Sequence, residues 1–481
     1  MVHARANEAA AHAETLIPDA LRRLSDYVGV VALSRDPARA PDVKRMAEIA
    51  RDDLRAAGLA DARLLELPGA LPCVAASWLE RPGAPTVLIY GHFDQQPATA
   101  SEWRTPPHTL TLRGDRLHGR GAADDLGGWL SQLVAFKAWK AVGGPPINVR
   151  FLLEGEEEIG SPRLGDYMSA FPEEFAADVM VLTDCDNPST DVPGLTVSLR
   201  GLLDVEVTLR ALRGKVHSGL WGGAVPDPAV GLCKVVAGLV DDEGRVAGLV
   251  AENDPAWRKS VAALSPDDEA LRRDAGLVPG VPGLPPGDLP RVEWMWRQPH
   301  VTVIGTTLPS IADRANVILP QATAHLSVRL APGQEPADVF AFLERRIRSL
   351  VPFGLQVEVK KTGGSAGWAY AAEGPAFDAA ARAYARAFGR DLVKIGVGGS
   401  IPFITLFARR FPDTPLILNG VMDPQTSAHG PDESLHVGLF RKVVLANVQL
   451  LGELAGLQAT GGAAPRPAAA PARGPDGACC P

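Results

Sequence analysis

The sequence predicts an α/β fold, in which a mostly parallel-sheet main domain covered by helices carries an inserted α+β domain. Three observations support this. Apolar runs such as "TVLIYGHFD", "NVRFLLEGEEE", "DVMVLTDCD" and "TPLILNG" read as strands buried on both faces. They alternate with helical stretches, as strand–helix–strand units do. Between about residues 203 and 371 the strands change character: "LLDVEVTLRAL", "TAHLSVRLA" and "LQVEVKKT" alternate apolar with polar residues, the mark of a sheet with one wet face.

In chain order, residues 16–28 and 41–57 read as amphipathic helices, and "TVLIYGHFD" is the first clear buried strand. After the Gly-rich "GRGAADD" comes "LGGWLSQLVAFKAWKAVGG", an apolar helix that Gly143 and Gly144 should stop. The insert carries helices at about 227–241 and 338–350, and a Pro/Gly-rich loop, "DAGLVPGVPGLPPGDLP", at 274–290. From 459 the chain is Ala, Pro and Gly with little to bury, so a disordered tail is expected. The expected division is therefore 1–202 and 372–458 for the main domain, 203–371 for the insert and 459–481 for the tail.

At 46% hydrophobic and 22% charged, the 481 residues have the composition of an ordinary soluble globular protein. A formal net charge of −8, without a dense Lys/Arg run, argues against nucleic-acid and anionic-membrane partners. No stretch approaches the roughly 20 apolar residues that span a bilayer. The first residues lack the apolar core of a signal peptide, so a cytoplasmic location is expected. The five cysteines, Cys73, Cys185, Cys233, Cys479 and Cys480, are then expected to be solvated, unpaired thiols.

Several strand ends carry chemistry. His92 and Asp94 follow one; Glu156, Glu157 and Glu158 a second; Asp184 and Asp186 a third; His429 lies beyond a fourth. Asp124 and Asp125 sit in the Gly-rich turn before a helix. Singly, each has an ordinary structural explanation. Together they are harder to dismiss, because buried charges are paired or bound to metal. Two imidazoles with several carboxylates and no Cys make a nitrogen/oxygen ligand set, for which Zn2+ is the commonest ion and Mn2+ or Co2+ are alternatives. The count exceeds what one catalytic zinc takes, which points to two ions sharing a carboxylate.

The segments "YGHFDQQP", "HGRGAADDLGG", "LLEGEEEIGSP", "VLTDCDN", "GKVHSGLWGG", "LSVRLAPGQ", "GGSIP" and "SAHGPDES" fall in a recognisable order. The chain, from about 15 to 455, resembles the di-zinc metallopeptidases that include carnosinase-like cytosolic dipeptidases, glutamate carboxypeptidase, aminoacylase, acetylornithine deacetylase and succinyl-diaminopimelate desuccinylase. Its length and layout look most like the dipeptidase branch.

The resemblance implies that His92 and Asp184 bind one zinc, that Glu158 and His429 bind the other, and that Asp124 bridges them with a cis peptide bond after it. Glu157 would be the general base, Asp94 would orient the ring of His92, and Glu433 would support His429. The insert would be a lid and dimerisation domain from which His217 reaches a second copy's active site in a homodimer. Arg329, Ser400 and Asn316 would bind substrate, with Arg329 on its carboxylate.

Some positions depart from the dipeptidase pattern. Leu126 stands where a Lys is usual, Gly396 and Val397 replace an Arg-Glu pair, and Thr362 lies near where a substrate-binding His is expected. These changes touch substrate recognition and leave the ligands in place. The implied activity is metal-dependent hydrolysis of a dipeptide or other small amide with a free C-terminal carboxylate. An N-acyl (acetyl, succinyl or carbamoyl) amino acid deacylase is the alternative on the same scaffold.

Overall fold

The structure is a computed structural model that describes residues 2–285, 287–399 and 402–461. The chain divides into two compact units: the first takes 1–195, 372–392 and 402 onward, the second 196–371 and 393–401.

The first unit is built on a six-stranded sheet. Its order is Arg63–Leu65, Cys73–Trp78, Asn148–Glu154, Thr86–His92, Val179–Leu182 and Leu416–Leu418. The last four strands run parallel, and the two at the other edge pair antiparallel. Register sets where these strands stop. His92 lies opposite Glu154, Tyr90 opposite Leu182, and Leu418 opposite Leu182 on its other side. Neighbouring parallel strands thus finish nearly level, so the residues just after them emerge at one edge of the sheet.

Helix Leu126–Ala141 is buried on nearly every side, with Trp129, Leu133, Phe136 and Trp139 inside and the Trp139 indole N–H donating to the Val448 carbonyl at 2.9 Å. Helices Val2–Val28 and Val437–Glu453 pack on it, and Tyr27 stacks on Trp129 at 5.0 Å. The first helix starts at Val2, well before the expected 16. Its added turns bury Ala6, Ala9 and Ala13 at helical spacing, a small-residue stripe whose hydrophobic signal is weak, and Pro18 interrupts the pattern near the expected start. Cys73 and Cys185 are buried, not solvated as expected, because a cysteine side chain packs as a small apolar group; Cys233 is exposed, and Cys479 and Cys480 lie outside the described residues. The expected tail falls there too, apart from its first residues, 459–461.

The second unit holds a four-stranded antiparallel sheet in the order His300–Thr306, Gln321–Leu330, Gly201–Arg210 and Gln356–Ser365. Alternation works as the sequence predicts: Leu203, Val205, Val207 and Leu209 face a core completed by helices Pro228–Ala237 and Pro336–Leu350. A small sheet joins Gly194–Leu199 to Trp368–Ala369 and to Val393–Val397, which is why 393–401 groups with this unit although 372–392 does not. Helices Asp268–Ala275 and Arg291–Trp296 flank the Pro/Gly-rich loop, and Gly276 in the left-handed region (φ 71°) ends the first of them. Among the described residues no helix is long and apolar enough to cross a membrane.

Candidate metal centre

The level strand ends bring the predicted ligands together. His92 closes its strand fully buried, with Nε2 3.1 Å from Asp124 Oδ1, 3.9 Å from Asp184 Oδ2 and 4.0 Å from Glu157 Oε2. His429 Nε2 lies 3.1 Å from Asp124 Oδ2 and 3.1 Å from Glu158 Oε2. Each oxygen of Asp124 therefore faces a different imidazole. Ligand atoms of His92, Glu157 and Asp184 all lie within 4.8 Å of one another, and so do those of Asp124, Glu158 and His429. The Asp124–Asp125 peptide bond is cis.

Buried hydrogen bonds fix this arrangement. The Asp94 carboxylate accepts from the backbone N–H of Glu157 at 3.2 Å and of Glu158 at 3.0 Å, and its Oδ1 stands 3.4 Å from His92 Nδ1. One side chain thereby sets both the glutamate turn and the ring. Asp125 Oδ2 accepts from the Thr183 hydroxyl at 2.7 Å and from the His92 backbone N–H at 3.2 Å. Glycines make room for it: a Cβ on Gly91 would lie 2.6 Å from Asp125 Oδ2, and one on Gly128 only 1.7 Å from Asp125 Oδ1.

Glu433, expected beside His429, sends its bonds elsewhere. It accepts from Arg120 at 2.7 Å and from the backbone N–H groups of Gly121, Ala123 and Asp124 at 3.1, 3.2 and 3.3 Å, holding the turn that presents Asp124. Its link to His429 passes through Arg120, which donates to the His429 carbonyl at 3.1 Å. His429 itself sits at φ 62° in a tight loop.

Charge accounts for the rest. Burial, then the Asp124 charge, pushes the Asp184 carboxyl well above its usual range. Burial does the same to Glu157, against the opposing pull of His92, and lifts Asp125 to about 7. Burial would lower His92, but hydrogen bonds to Asp124 and Asp94 outweigh it and raise the ring well above normal. Hydrogen bonds to Asp124 and Glu158 raise His429 to about 11. Four carboxylates thus surround two imidazoles, and the protein supplies too little positive charge at the centre of the cluster. A nitrogen/oxygen donor set of this kind, buried except for the exposed His429, fits divalent cations.

The other candidates belong to the second unit or turn away from the cluster. His217 is exposed on the second unit, where its Nδ1 accepts from the Gly219 N–H at 3.1 Å. Asn316 is exposed beside it, its carbonyl accepting from the Ser218 N–H at 3.0 Å. Arg329 is half-buried on the Gln321–Leu330 strand, opposite His300 and Leu202. Ser400 lies outside the described residues. Glu156 turns away, accepting from the Leu71 N–H at 2.9 Å, and Asp186 forms a backbone bridge with Met422. Sequence reasoning missed Gln96, whose amide donates to Glu158 Oε2 at 2.8 Å, and Arg120. The only signal for either was its place in a segment already singled out, "YGHFDQQP" or "HGRGAADD".

The profile of Peptidase family M20/M25/M40 matches residues 88–453. A cysteinylglycine-S-conjugate dipeptidase of Corynebacterium striatum is 34% identical over 371 residues, 76% of this chain and 81% of the relative. A Cys-Gly metallodipeptidase of Schizosaccharomyces pombe is 26% identical over 461 residues, 90% of this chain and 95% of the relative. Among solved structures, human carnosine dipeptidase 1 superposes with a TM-score of 0.80 at 23% identity, covering 94% of this chain and 99% of that one, a likeness of fold. An M20 family metallo-carboxypeptidase from Sulfolobus solfataricus gives 0.75 at 25% identity, covering 91% and 99%. Fold and site together define a metal-dependent peptidase. The chain belongs to Peptidase family M20/M25/M40.

Proposed function

We propose that this peptidase hydrolyses dipeptides with a free C-terminal carboxylate, using two zinc ions. His92 and Asp184 would hold one ion, Glu158 and His429 the other, and Asp124 would span both. The observation that carries this reading is the placement of the two Asp124 oxygens, each 3.1 Å from a different imidazole. Bound divalent ions supply a water of lowered pKa and polarise the amide carbonyl. Glu157 takes the proton of the attacking water and returns it to the leaving amine. Its side chain is suited to that role: it is not the partner of His429, a place Glu158 fills, and burial makes its carboxylate unusually basic.

Substrate binding falls to the second unit. The Arg329 fork matches a carboxylate, with Ser400 and Asn316 assisting, and His217 serves a second copy's site in a homodimer. A cytoplasmic location agrees with Cys73 and Cys233, which form no disulfide.

The test is reconstitution. Metal-free protein is given zinc, manganese or cobalt and assayed on Cys-Gly and β-Ala-His beside acetyl, succinyl and carbamoyl amino acids. The expected result is metal-restored dipeptide hydrolysis, at least about tenfold above every acyl amino acid in kcat/KM. The reverse order would replace dipeptidase with N-acyl amino acid deacylase, and activity without metal would remove the mechanism.

A further inference from the structure

The second unit contains a cavity of about 350 Å³ whose walls come entirely from residues 200–300, and no proposed ligand or base contributes to it. Its apolar walls include Leu271, Trp294 and Met295, and its polar groups include Arg200, Arg245 and His300. These cations are not equivalent. Arg245 pairs with Glu243 at 2.5 Å and lies 4.3 Å over the Trp294 ring, while Arg291, also on the wall, pairs with Asp268 at 2.5 Å.

Arg200 has no such acid among the described residues. Its guanidinium donates only to carbonyls: Gly398 at 2.9 Å, Gln298 at 3.3 Å and Trp294 at 3.4 Å. The charge it senses is another cation, for burial first and Arg329 second pull it down to about 10. A half-buried guanidinium facing a cavity whose one acid, Glu243, is already paired with Arg245 is an incomplete ion pair, and such a charge is costly unless something neutralises it. Apolar walls around one unmatched cation define what completes it.

We propose that this cavity binds a small carboxylate carried on an aromatic or branched apolar body, with the carboxylate on Arg200 and the body between Leu271 and Trp294. The unmatched positive charge excludes a cationic ligand, and the volume accommodates a body of indole size. Nothing in this proposal depends on the assignment of Arg329 to substrate.

The experiment is calorimetric titration of metal-loaded protein with indole-3-acetate, indole-3-acetamide and tryptamine, one ring carrying negative, neutral and positive charge. The acetate should bind one per chain with a Kd of about 1 mM or tighter. It should bind at least about tenfold tighter than the amide, with tryptamine weaker still. Leu271→Asp puts a like charge on the wall and should weaken the acetate at least about tenfold while kcat/KM for a dipeptide stays within about twofold. Arg200→Met should weaken it equally, with the thermal midpoint recorded as a check on folding. Equal affinity for acetate and amide, no binding up to about 10 mM, or acetate binding that survives Leu271→Asp each overturns the proposal, the last because a carboxylate would then be sitting elsewhere.

Discussion

Asp94 shows how much of this centre rests on single residues, since one carboxylate receives two backbone N–H groups and stands behind an imidazole. Its place two residues after His92 at a strand end made it legible in the sequence. Its hold on the Glu157–Glu158 turn was not, because that turn is more than sixty residues away and only strand register brings it near. The pairing of Arg120 with Glu433 was hidden for the same reason, since most of the chain separates them, although Glu433 itself was named. At this scale the decisive prediction concerns Glu157. Glu157→Gln should keep its metal content and lower kcat by about 10²- to 10⁴-fold with little change in KM, read by steady-state kinetics with metal analysis. Loss of one ion in that variant would make Glu157 a ligand, as its closeness to His92 and Asp184 also permits.

Among the elements, the strands were the most legible, because unbroken apolar runs ending in His, Glu or Asp state both burial and position. The first helix was the least, for the packing face of its N-terminal half is alanine alone, at Ala6, Ala9 and Ala13. Helix Leu126–Ala141 raises a subtler point: the sequence "LGG" at its start looks like poor helix chemistry, yet Gly128 is where Asp125 lies against the helix. Gly128→Ala would improve helix propensity by roughly 1 kcal/mol. The Cβ clash 1.7 Å from Asp125 Oδ1 should nonetheless win. The expected outcome is a net loss of about 1–3 kcal/mol in denaturant unfolding together with reduced activity. A more stable, fully active variant would show that Asp125 is not held there.

Helix Arg291–Trp296 is tied to Pro255–Val261 by Glu293, which is fully buried and accepts from Arg258 at 2.5 and 3.0 Å, Asn253 at 3.1 Å and Gln298 at 3.1 Å. Burial alone would raise this carboxyl, but those bonds outweigh it and hold it below its ordinary value. A lowered folded-state pKa gives stability that is complete above the unfolded value near 4.3 and disappears as pH falls through the folded one. Glu293→Gln should therefore cost about 1–3 kcal/mol at pH 7, and the gap should close toward about pH 3 in thermal unfolding. A gap that widens on acidification would contradict the assignment.

Across the whole molecule, the inserted layer was legible from a change of period alone, continuous apolar strands giving way to alternating ones. Its exact extent was not, because the strand Val393–Val397 joins the second unit through pairing with no local signature. The cluster was readable for a different reason: six side chains spread from 92 to 429, the five proposed ligands and the proposed base Glu157, each follow or flank a recognisable element, and the sheet turns that sequence order into proximity. The proposed chemistry depends on that convergence. Anomalous diffraction from crystals of zinc-loaded protein, recorded at the zinc edge, measures it directly. Two peaks about 3.5–4 Å apart, one beside each oxygen of Asp124, are the predicted result. A single peak, or peaks away from His92 and His429, would contradict it.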